Sequence, residues 1–235
     1  MKIMTFNTQH CKNYLTGEID YNVMADVIKS CAPDFVALNE MRDAGEAEEF
    51  AAQTKILAEL CGMDYFFFAK AIDARDVSSP YGNAIISKHK LVETEVIPLP
   101  APEIRTGKRW YEDRCILKAR LDCGLTVMVI HVGLNPDEQV PAMRVILENA
   151  EKENCVLLGD FNMQPDNEIL SPLTSVFDDT AKAVDKQLLT IPSNAPTRKI
   201  DYIFVTKDIK TITTDVIEKV ASDHLALVAE IAFPS

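Results

Sequence analysis

The sequence predicts a single α+β domain that spans residues 1–235 and is built on large β-sheets packed together. Two observations carry this prediction. Short apolar runs typical of strands alternate with helical patterns over all 235 residues, and no linker, repeat or low-complexity tract divides them. With 47% hydrophobic residues, the chain can bury a substantial core. Strands and helices mixed along one undivided chain are typical of layers that share a core.

Strand and helix alternate in the first quarter of the chain. The apolar runs 2–6 and 34–38 are each predicted to form a strand. A helix is expected to begin at about Asp20, a residue type that caps helix N-termini, because apolar residues recur after it at the spacing of one helix face. The segment 46–61 shows the same spacing and is predicted to form a second helix.

The rest of the chain is rich in predicted strands. Two long loops are expected at 72–82 and 98–111, and loops of that length in a compact domain are more often functional than short ones. One further helix is expected at about 138–152. The predicted strands lie at 65–69, 83–87, 91–97, 115–121, 125–132, 155–158, 199–205, 209–217 and 225–231.

The acidic balance of the chain limits the partners that it can bind. Its 36 acidic and 24 basic residues give a formal charge of −12, and a field of this sign repels polyanions. Proteins that hold DNA through many phosphate contacts carry a basic footprint, and this sequence has no block of basic residues. The charge therefore disfavours extended nucleic-acid binding, although a local basic patch or a bound divalent cation could still overcome it.

The composition favours a cytoplasmic protein without a membrane span, and we expect a monomer. No apolar run approaches the length of a transmembrane helix, and the first apolar segment is too short for a secretory signal. The six cysteines form no C-x-x-C pair. They are therefore predicted to be buried free thiols in a reducing compartment, with neither disulfides nor a zinc site.

Polar residues of types that bind metals or transfer protons follow or interrupt several predicted strands. Each has a plain structural explanation on its own, such as a turn residue, a solvated loop acid or a core histidine. Asp201 is the hardest to explain in that way, because a carboxylate inside an apolar strand needs a partner or a shifted pKa. The full set comprises Asn7, Asn39, Glu40, His131, Asp160, Asn162, Asp201, Asp223 and His224.

One group of these residues suits a divalent cation. Hard cations take oxygen ligands, and Glu40, Asn7 and Asp223 are sufficient to supply them. Magnesium usually keeps several waters and shares one or two carboxylates with a substrate phosphate. The sequence therefore predicts a site for Mg²⁺, with Mn²⁺ as a substitute, that could share its cation with a phosphorylated substrate.

A second group suits proton transfer. Asp160 and Asn162 stand two positions apart after a buried strand, so they would face one way and could hold and deprotonate a water. A strand end that runs into a turn is the competing interpretation of this pair. His131 and His224 could donate hydrogen bonds to phosphoryl oxygens as charge develops on them.

Seven segments occur in a characteristic order along nearly the whole chain, namely MTFNTQ, FVALNE, YGNAIIS, VIHVG, LLGDFNMQP, KIDYIFV and SDHLALV. On these segments the chain resembles the endonuclease/exonuclease/phosphatase superfamily. The resemblance implies a four-layer αββα sandwich with its site at one edge, where the two sheets meet. It also implies magnesium-dependent hydrolysis of a phosphoester by in-line attack of water.

The resemblance implies roles for the matching residues, and two neighbouring positions depart from the family pattern. Asn39 stands where glutamine is common, which should change little, and Gln9 stands where some nucleases carry a metal-binding aspartate, which argues against a second metal. The resemblance implies that Glu40, with Asn7 beside it, and Asp223 lie on the metal side of the site. It implies that Asp160 and Asn162 orient the nucleophile and that His131 is the central phosphate contact. Asp201 is implied to be the carboxylate that orients His224. Whether Asp160 or the Asp201/His224 pair is the general base stays open.

Basic and aromatic residues lie together in and after the second long loop. Arg109 and Trp110 suit a phosphate beside a ring or a sugar. Arg114 begins the next strand, near His131, and could reach the phosphate. The competing interpretation of the loop is a solvated hairpin with a packed tryptophan.

The favoured hypothesis is a phosphoesterase that acts on a compact phosphate mono- or diester. The first alternative is an endonuclease or exonuclease acting on DNA, for example at abasic sites, although the chain is close to a bare family core and leaves little room for insertions that clamp a duplex. The second alternative is a catalytically silent binding module on the same fold, against which the intact site residues argue. Asp160 and His224 are expected on a solvated rim.

Overall fold

The computed structural model describes residues 1–44, 51–73 and 79–234. Two six-stranded sheets pack face to face, and helices cover the outer face of each sheet. The predicted α+β fold, a four-layer αββα sandwich, is thereby confirmed.

Twelve strands and four α-helices lie in the described part of the chain, together with two short 3-10 helices at Glu168–Leu170 and Thr180–Ala183. None of these helices is long and apolar enough to cross a membrane. In chain order the elements are β1 (Lys2–Asn7), α1 (Tyr21–Cys31), β2 (Phe35–Arg42), α2 (Gln53–Cys61), β3 (Tyr65–Asp73), β4 (Pro80–Ser87), β5 (Leu91–Pro98), β6 (Cys115–Leu121), β7 (Thr126–His131), α3 (Pro136–Asn149), β8 (Cys155–Asp160), α4 (Ser171–Val176), β9 (Phe177–Asp179), β10 (Asp201–Thr206), β11 (Lys210–Ile217) and β12 (Ala226–Ala232).

Each sheet has one parallel pair of strands near its centre and antiparallel strands on both sides. The strand order is β11-β12-β1-β2-β4-β3 in the first sheet and β5-β6-β7-β8-β10-β9 in the second. The parallel pairs are β1 with β2 and β7 with β8. The sheets therefore have matching centres, and three of the predicted site residues, Asn7, His131 and Asp160, end strands of these central pairs.

The core has three apolar layers because alternate side chains of a strand face opposite sides of its sheet. In β7, Val127 and Val129 lie in the layer between the two sheets, whereas Met128 and Ile130 pack in the layer that α3 covers. The first sheet packs against α1 and α2 in the same way on its own outer face. This alternation explains why β7 is apolar throughout.

Every strand predicted from the sequence is present, but two predicted segments differ in extent. Within the described residues the second helix covers Gln53–Cys61, and the start of the predicted 46–61 helix lies outside them. Because β3 runs to Asp73 and β4 begins at Pro80, the predicted 72–82 loop is partly strand. Its residues 74–78 lie outside the described part. No sequence pattern predicts α4 or β9, which are too short to show a period.

The cysteines are free thiols, as their spacing predicts, but not all are buried. The prediction of burial is correct for Cys11, Cys115 and Cys155. It is wrong for the half-buried Cys31, Cys61 and Cys123.

Two buried asparagines join the sheets. The Asn39 amide nitrogen donates to Asn83 Oδ1 at 2.8 Å and to the Ile130 carbonyl at 2.9 Å, and its Oδ1 accepts the Asp160 N–H at 3.0 Å. The Asn83 amide in turn donates to the Cys115 carbonyl at 2.7 Å. Both asparagines belong to the first sheet and their main-chain partners to the second. The amides therefore fix the offset between the sheets.

A glycine lets the two central strands of the second sheet approach each other beside the site. Gly159 has φ +145, and a Cβ there would lie 1.9 Å from the Ile130 carbonyl oxygen. The backbone conformation and the short distance both require glycine. The pairing that results places His131 directly beside Asp160.

We expect Asn83→Ala to lower the free energy of unfolding by about 1–3 kcal/mol, since it leaves buried polar groups of Asn39 and Cys115 without their partner. Urea unfolding followed by circular dichroism measures the change. The exposed Asn194→Ala is the matched control. Equal midpoints for the two variants would show that the amide bridge contributes nothing to stability.

Candidate active site

The predicted site residues converge at one edge of the sandwich. Asn7 ends β1, His131 ends β7, and Asp160 ends β8. In the second sheet, Asp160 pairs with His131 on one side and with Asp201, the first residue of β10, on the other. Three neighbouring strands thus carry three functional side chains at the same level.

Glu40 does not end its strand as the sequence predicts, but lies in an irregularity inside β2. The pairing of β2 with β4 shifts between Leu38 and Met41, and Glu40 has φ +59. A non-glycine residue in this conformation needs support from its surroundings. The Glu40 carbonyl provides part of that support by accepting the His10 N–H at 2.8 Å. The bulge redirects the side chain relative to a regular strand.

Asn7 connects the two carboxylates of the site. Its amide nitrogen donates to Glu40 Oε1 at 3.0 Å and to Asp160 Oδ2 at 3.1 Å. Its Oδ1 accepts the Gln9 N–H at 3.1 Å, which fixes the orientation of the amide. In this arrangement Asn7 is a donor that positions both carboxylates, and its role as an oxygen ligand of a metal stays a prediction.

His131 is held in one neutral form by Arg114. The Arg114 guanidinium lies 2.7 Å from His131 Nδ1, and because a guanidinium can only donate, Nδ1 must be the acceptor. Burial, with the charges of Arg114 and His224, holds the pKa of His131 well below its usual value. The Nε2 atom therefore carries the hydrogen, and it lies 3.8 Å from Asp160 Oδ2 and 4.0 Å from Glu40 Oε1.

Arg114 lies behind His131, with only 11% of its side chain exposed. Its other terminal nitrogen pairs with Glu112 at 3.0 Å. Both terminal nitrogens of Arg114 are thus engaged, by the His131 ring and by Glu112, and a direct contact between Arg114 and a phosphate stays a prediction.

His224 is held in its charged form by carboxylates. Its Nδ1 lies 2.8 Å from Asp201 Oδ2. Burial opposes the charge on the ring, but the carboxylates of Asp201, Asp160 and Asp223 outweigh burial and raise the pKa of His224 to about 10. The other ring nitrogen, Nε2, lies 3.8 Å from Asp160 Oδ2. Asp201 thus has the partner that its place in an apolar strand requires.

Asp160 is buried at the centre of the site. Burial and the nearby Asp201 carboxylate raise the pKa of Asp160 to about 7, and the charge of His224 opposes this shift. Only 2% of Asp160 and 4% of His224 is exposed. The expectation of a solvated rim is therefore wrong, because Asp160 contacts Asn7 of the other sheet and His224 contacts Asp201, so that both side chains are enclosed between segments distant in the chain.

The strand that ends at Asp160 runs into a turn at Asn162, and the role of this pair in holding a water stays a prediction. The Asn162 N–H donates to Asp160 Oδ1 at 2.8 Å, and Asn162 has φ +53, so a tight turn is present. The Asn162 amide nitrogen donates to the Val132 carbonyl at 2.9 Å. The buried Gln139 donates to the carbonyls of Gly133, at 3.0 Å, and Asn162, at 3.4 Å. The sequence does not single out Gln139, since it lies on an ordinary helix.

Glu40 and Asp223 form an acidic side of the site. Burial raises the pKa of Glu40, the Asn7 hydrogen bond opposes the shift, and the Asp223 charge adds to it. Asp223 is half-buried and accepts the Ser222 hydroxyl at 3.0 Å. The two carboxylate charges repel each other, and oxygen is the only donor atom that they offer. Such a pair fits a hard divalent cation.

The predicted substrate residues Arg109 and Trp110 are exposed on the 98–111 loop, with 61% of Trp110 accessible. The loop is fixed to the start of α3 at Asn135. The Asn135 side chain accepts the Arg109 N–H at 2.9 Å, and it lies so close to Gly107 that a Cβ there would meet it at 2.1 Å. The loop is therefore a tethered segment rather than a loose hairpin.

Comparisons with known proteins agree with this geometry. Residues 4–224 match the Endonuclease/Exonuclease/phosphatase family, whereas no curated protein sequence matches the chain. Among solved structures, an endonuclease/exonuclease/phosphatase from Beutenbergia cavernae DSM 12333 is 26% identical, with a TM-score of 0.83 over 100% of this chain and 72% of that chain.

Two further structures share the fold. The mannosyl-6-phosphatase Bt3783 of Bacteroides thetaiotaomicron VPI-5482 is 18% identical, with a TM-score of 0.80 over 99% of this chain and 100% of that chain. The human Nocturnin catalytic domain with bound sulfate anion is 18% identical, with a TM-score of 0.73 over 100% of this chain and 93% of that chain. The family match includes every residue of the site from Asn7 to His224, and the protein therefore belongs to the endonuclease/exonuclease/phosphatase family.

Proposed function

We propose that the protein is a divalent-metal-dependent phosphoesterase that hydrolyses a compact phosphate ester by in-line attack of water. Members of its family are hydrolases that act on phosphoester bonds. One observation carries the proposal for this chain. The Nε2 atoms of His131 and His224 each lie 3.8 Å from the same oxygen of Asp160, and Asn7 joins that carboxylate to Glu40.

Asp160 is the proposed general base, and Asn162 the group that orients the water. A carboxyl group whose pKa is raised to about 7 can take up a proton near neutral pH. Since the Asn162 amide nitrogen is engaged by Val132, the Asn162 Oδ1 atom can accept a hydrogen bond from the water. No described residue donates to that oxygen atom.

The two histidines are the proposed donors to the phosphoryl group. His131 offers a neutral N–H at Nε2 because Arg114 occupies Nδ1. His224 offers a charged N–H because Asp201 raises its pKa. Donors that are fixed before the reaction stabilise developing charge without reorganising. This division of roles favours Asp160 over the Asp201/His224 pair as the base.

Glu40 and Asp223 are the proposed cation ligands, and their oxygen atoms fit Mg²⁺ or Mn²⁺. Such a cation supplies charge stabilisation at the phosphoryl oxygens when bound. Asp160, Asp201 and His224 also bring three ligand-type atoms within 4.8 Å of one another. Because Asp201 and His224 already pair with each other through a hydrogen bond, we place the cation on the acidic side instead.

A small ester is favoured over a polynucleotide. The formal charge of −12 opposes a long polyanion. Arg109 and Trp110 on the tethered loop provide a cation and a ring for the group attached to the phosphate. The mannosyl-6-phosphatase matches this chain over 100% of its own length, so a protein of this fold and extent can act on a sugar phosphate.

We expect magnesium-dependent turnover of small phosphate esters and none of a DNA duplex with one abasic site. Parallel assays of a panel of phosphomonoesters, a generic phosphodiester and that duplex, each repeated with EDTA, measure this. Efficient cleavage of the duplex would make the protein a DNA nuclease. Failure to hydrolyse any of these substrates with metal present would favour a binding module.

Asp160→Asn and His224→Gln are expected to lower kcat by about 10²–10⁴-fold, because each removes a proton-transfer or charged donor group while keeping a polar side chain of similar size. Steady-state kinetics on the best ester, with thermal melting as a check on folding, measure the effect. Asp178→Asn, at an exposed position, is the matched control. Wild-type turnover in either site variant would refute its assignment.

Trp110→Ala is expected to raise KM by about tenfold with little change in kcat, because a group that contacts the remote part of a substrate contributes equally to ground-state and transition-state binding. Ile104→Ala, on the same loop and 79% exposed, is the control and should leave both constants unchanged. An unchanged KM for Trp110→Ala would remove the loop from substrate recognition.

A further inference from the structure

Two turns meet at the end of the sandwich opposite the catalytic edge. One follows β4 and leads from the first sheet to β5 of the second sheet, and the other joins β6 to β7. The Asp122 N–H donates to the Lys90 carbonyl at 2.9 Å, and the Gly124 N–H donates to the Leu121 carbonyl at 2.9 Å. The main chain therefore fixes the two turns relative to each other.

Three side chains with different donor atoms lie together on these turns. One ligand atom each from His89, Asp122 and Cys123 lies within 4.8 Å of the others. The His89 Nδ1 atom is 3.3 Å from Asp122 Oδ1. Cys123 is half-buried, and 33% of the His89 side chain and 49% of the Asp122 side chain are exposed. The cluster is thus open to ions from solution.

We propose that His89, Asp122 and Cys123 form a second metal site, which takes a zinc-type cation. Thiolate, imidazole and carboxylate are the ligands that Zn²⁺ takes in proteins, whereas Mg²⁺ prefers oxygen alone. The two sites of the molecule therefore select different cations. The spacing of the cysteines predicts no zinc site. A histidine that approaches a single cysteine only in the folded chain leaves no trace in that spacing.

The geometry of the cluster suits tetrahedral coordination. Bond lengths of about 2.0–2.3 Å around a tetrahedral Zn²⁺ place neighbouring ligand atoms about 3.3–3.6 Å apart. The His89 to Asp122 distance of 3.3 Å already matches one edge of such a tetrahedron. Three protein ligands on an exposed surface leave the fourth position to water. A cation held there would link the crossing between the sheets to the β6–β7 hairpin.

The proposed site is separate from the catalytic centre. β7 runs from Thr126, next to the hairpin, to His131 in the active site. At about 3.3 Å per residue, the strand separates the two by roughly 20 Å. A metal bound at one end therefore makes no direct contact with the chemistry at the other, and the two sites can be tested independently.

Titration of the intact protein with Co²⁺ in saturating Mg²⁺ and a phosphine reductant tests the proposal. Because no cysteine is among the catalytic residues, a thiolate-to-cobalt charge-transfer band cannot arise at the catalytic site, and its loss in Cys123→Ser assigns it to the second site. We expect the band to saturate at one equivalent. It should disappear in Cys123→Ser and require at least about tenfold more Co²⁺ in His89→Gln. Cys61→Ser, which removes another half-buried thiol, should retain it.

The melting temperature provides a readout that does not depend on cobalt. With Mg²⁺ saturating, Zn²⁺ should raise the melting temperature of the wild type and of Cys61→Ser, but not that of Cys123→Ser, since a ligand that binds only the folded state stabilises it. Absence of the charge-transfer band in the wild type would overturn the proposal, as would its survival in Cys123→Ser. Either result would leave His89 and Asp122 as a surface ion pair.

Discussion

The amide of Asn39 is the contact on which the geometry of the catalytic edge depends. It lies next to Glu40 in the first sheet, and it holds the main chain of Asp160 and of Ile130, the residue before His131, in the second. The acidic side of the site comes from one sheet and most of the proton-transfer groups from the other. Buried, fully used amides of this kind tolerate little displacement, because any shift would leave polar atoms without partners.

The electrostatics of the site arise because several charged side chains lie together in a buried region. Asp160, Asp201 and Glu40 lie close together, and the positive charges of His224 and Arg114 offset them only in part, since the pKa values of Asp160 and Glu40 stay raised. Such an arrangement costs stability unless further positive charge arrives. A bound cation would therefore stabilise the folded protein as well as serve catalysis, which ties metal affinity to folding.

The strands and the membership of the site could be predicted from the sequence, because apolar runs mark buried strands and the ends of central strands meet at one edge. The contacts that these residues make with one another could not be predicted. The bulge at Glu40 depends on the register with β4, and the link between Asn39 and Asn83 joins residues far apart in the chain. The burial of Asp160 and His224 arises from contacts between distant segments, those of Asp160 with Asn7 and of His224 with Asp201, which no periodicity describes. For the same reason, the sequence does not predict that His89 lies near Cys123 in the folded chain.

The hydrogen bond from Arg114 to His131 limits what the site can hold. A guanidinium never accepts, so the ring always presents an N–H toward the reaction centre and never a free lone pair. A charged phosphate oxygen accepts such a hydrogen bond about twice as strongly as a neutral hydroxyl does. A phosphoryl oxygen of the proposed substrate would therefore be held more strongly at this position than a neutral hydroxyl group would. The direction of one buried hydrogen bond thus gives the site a preference for anionic over neutral acceptors.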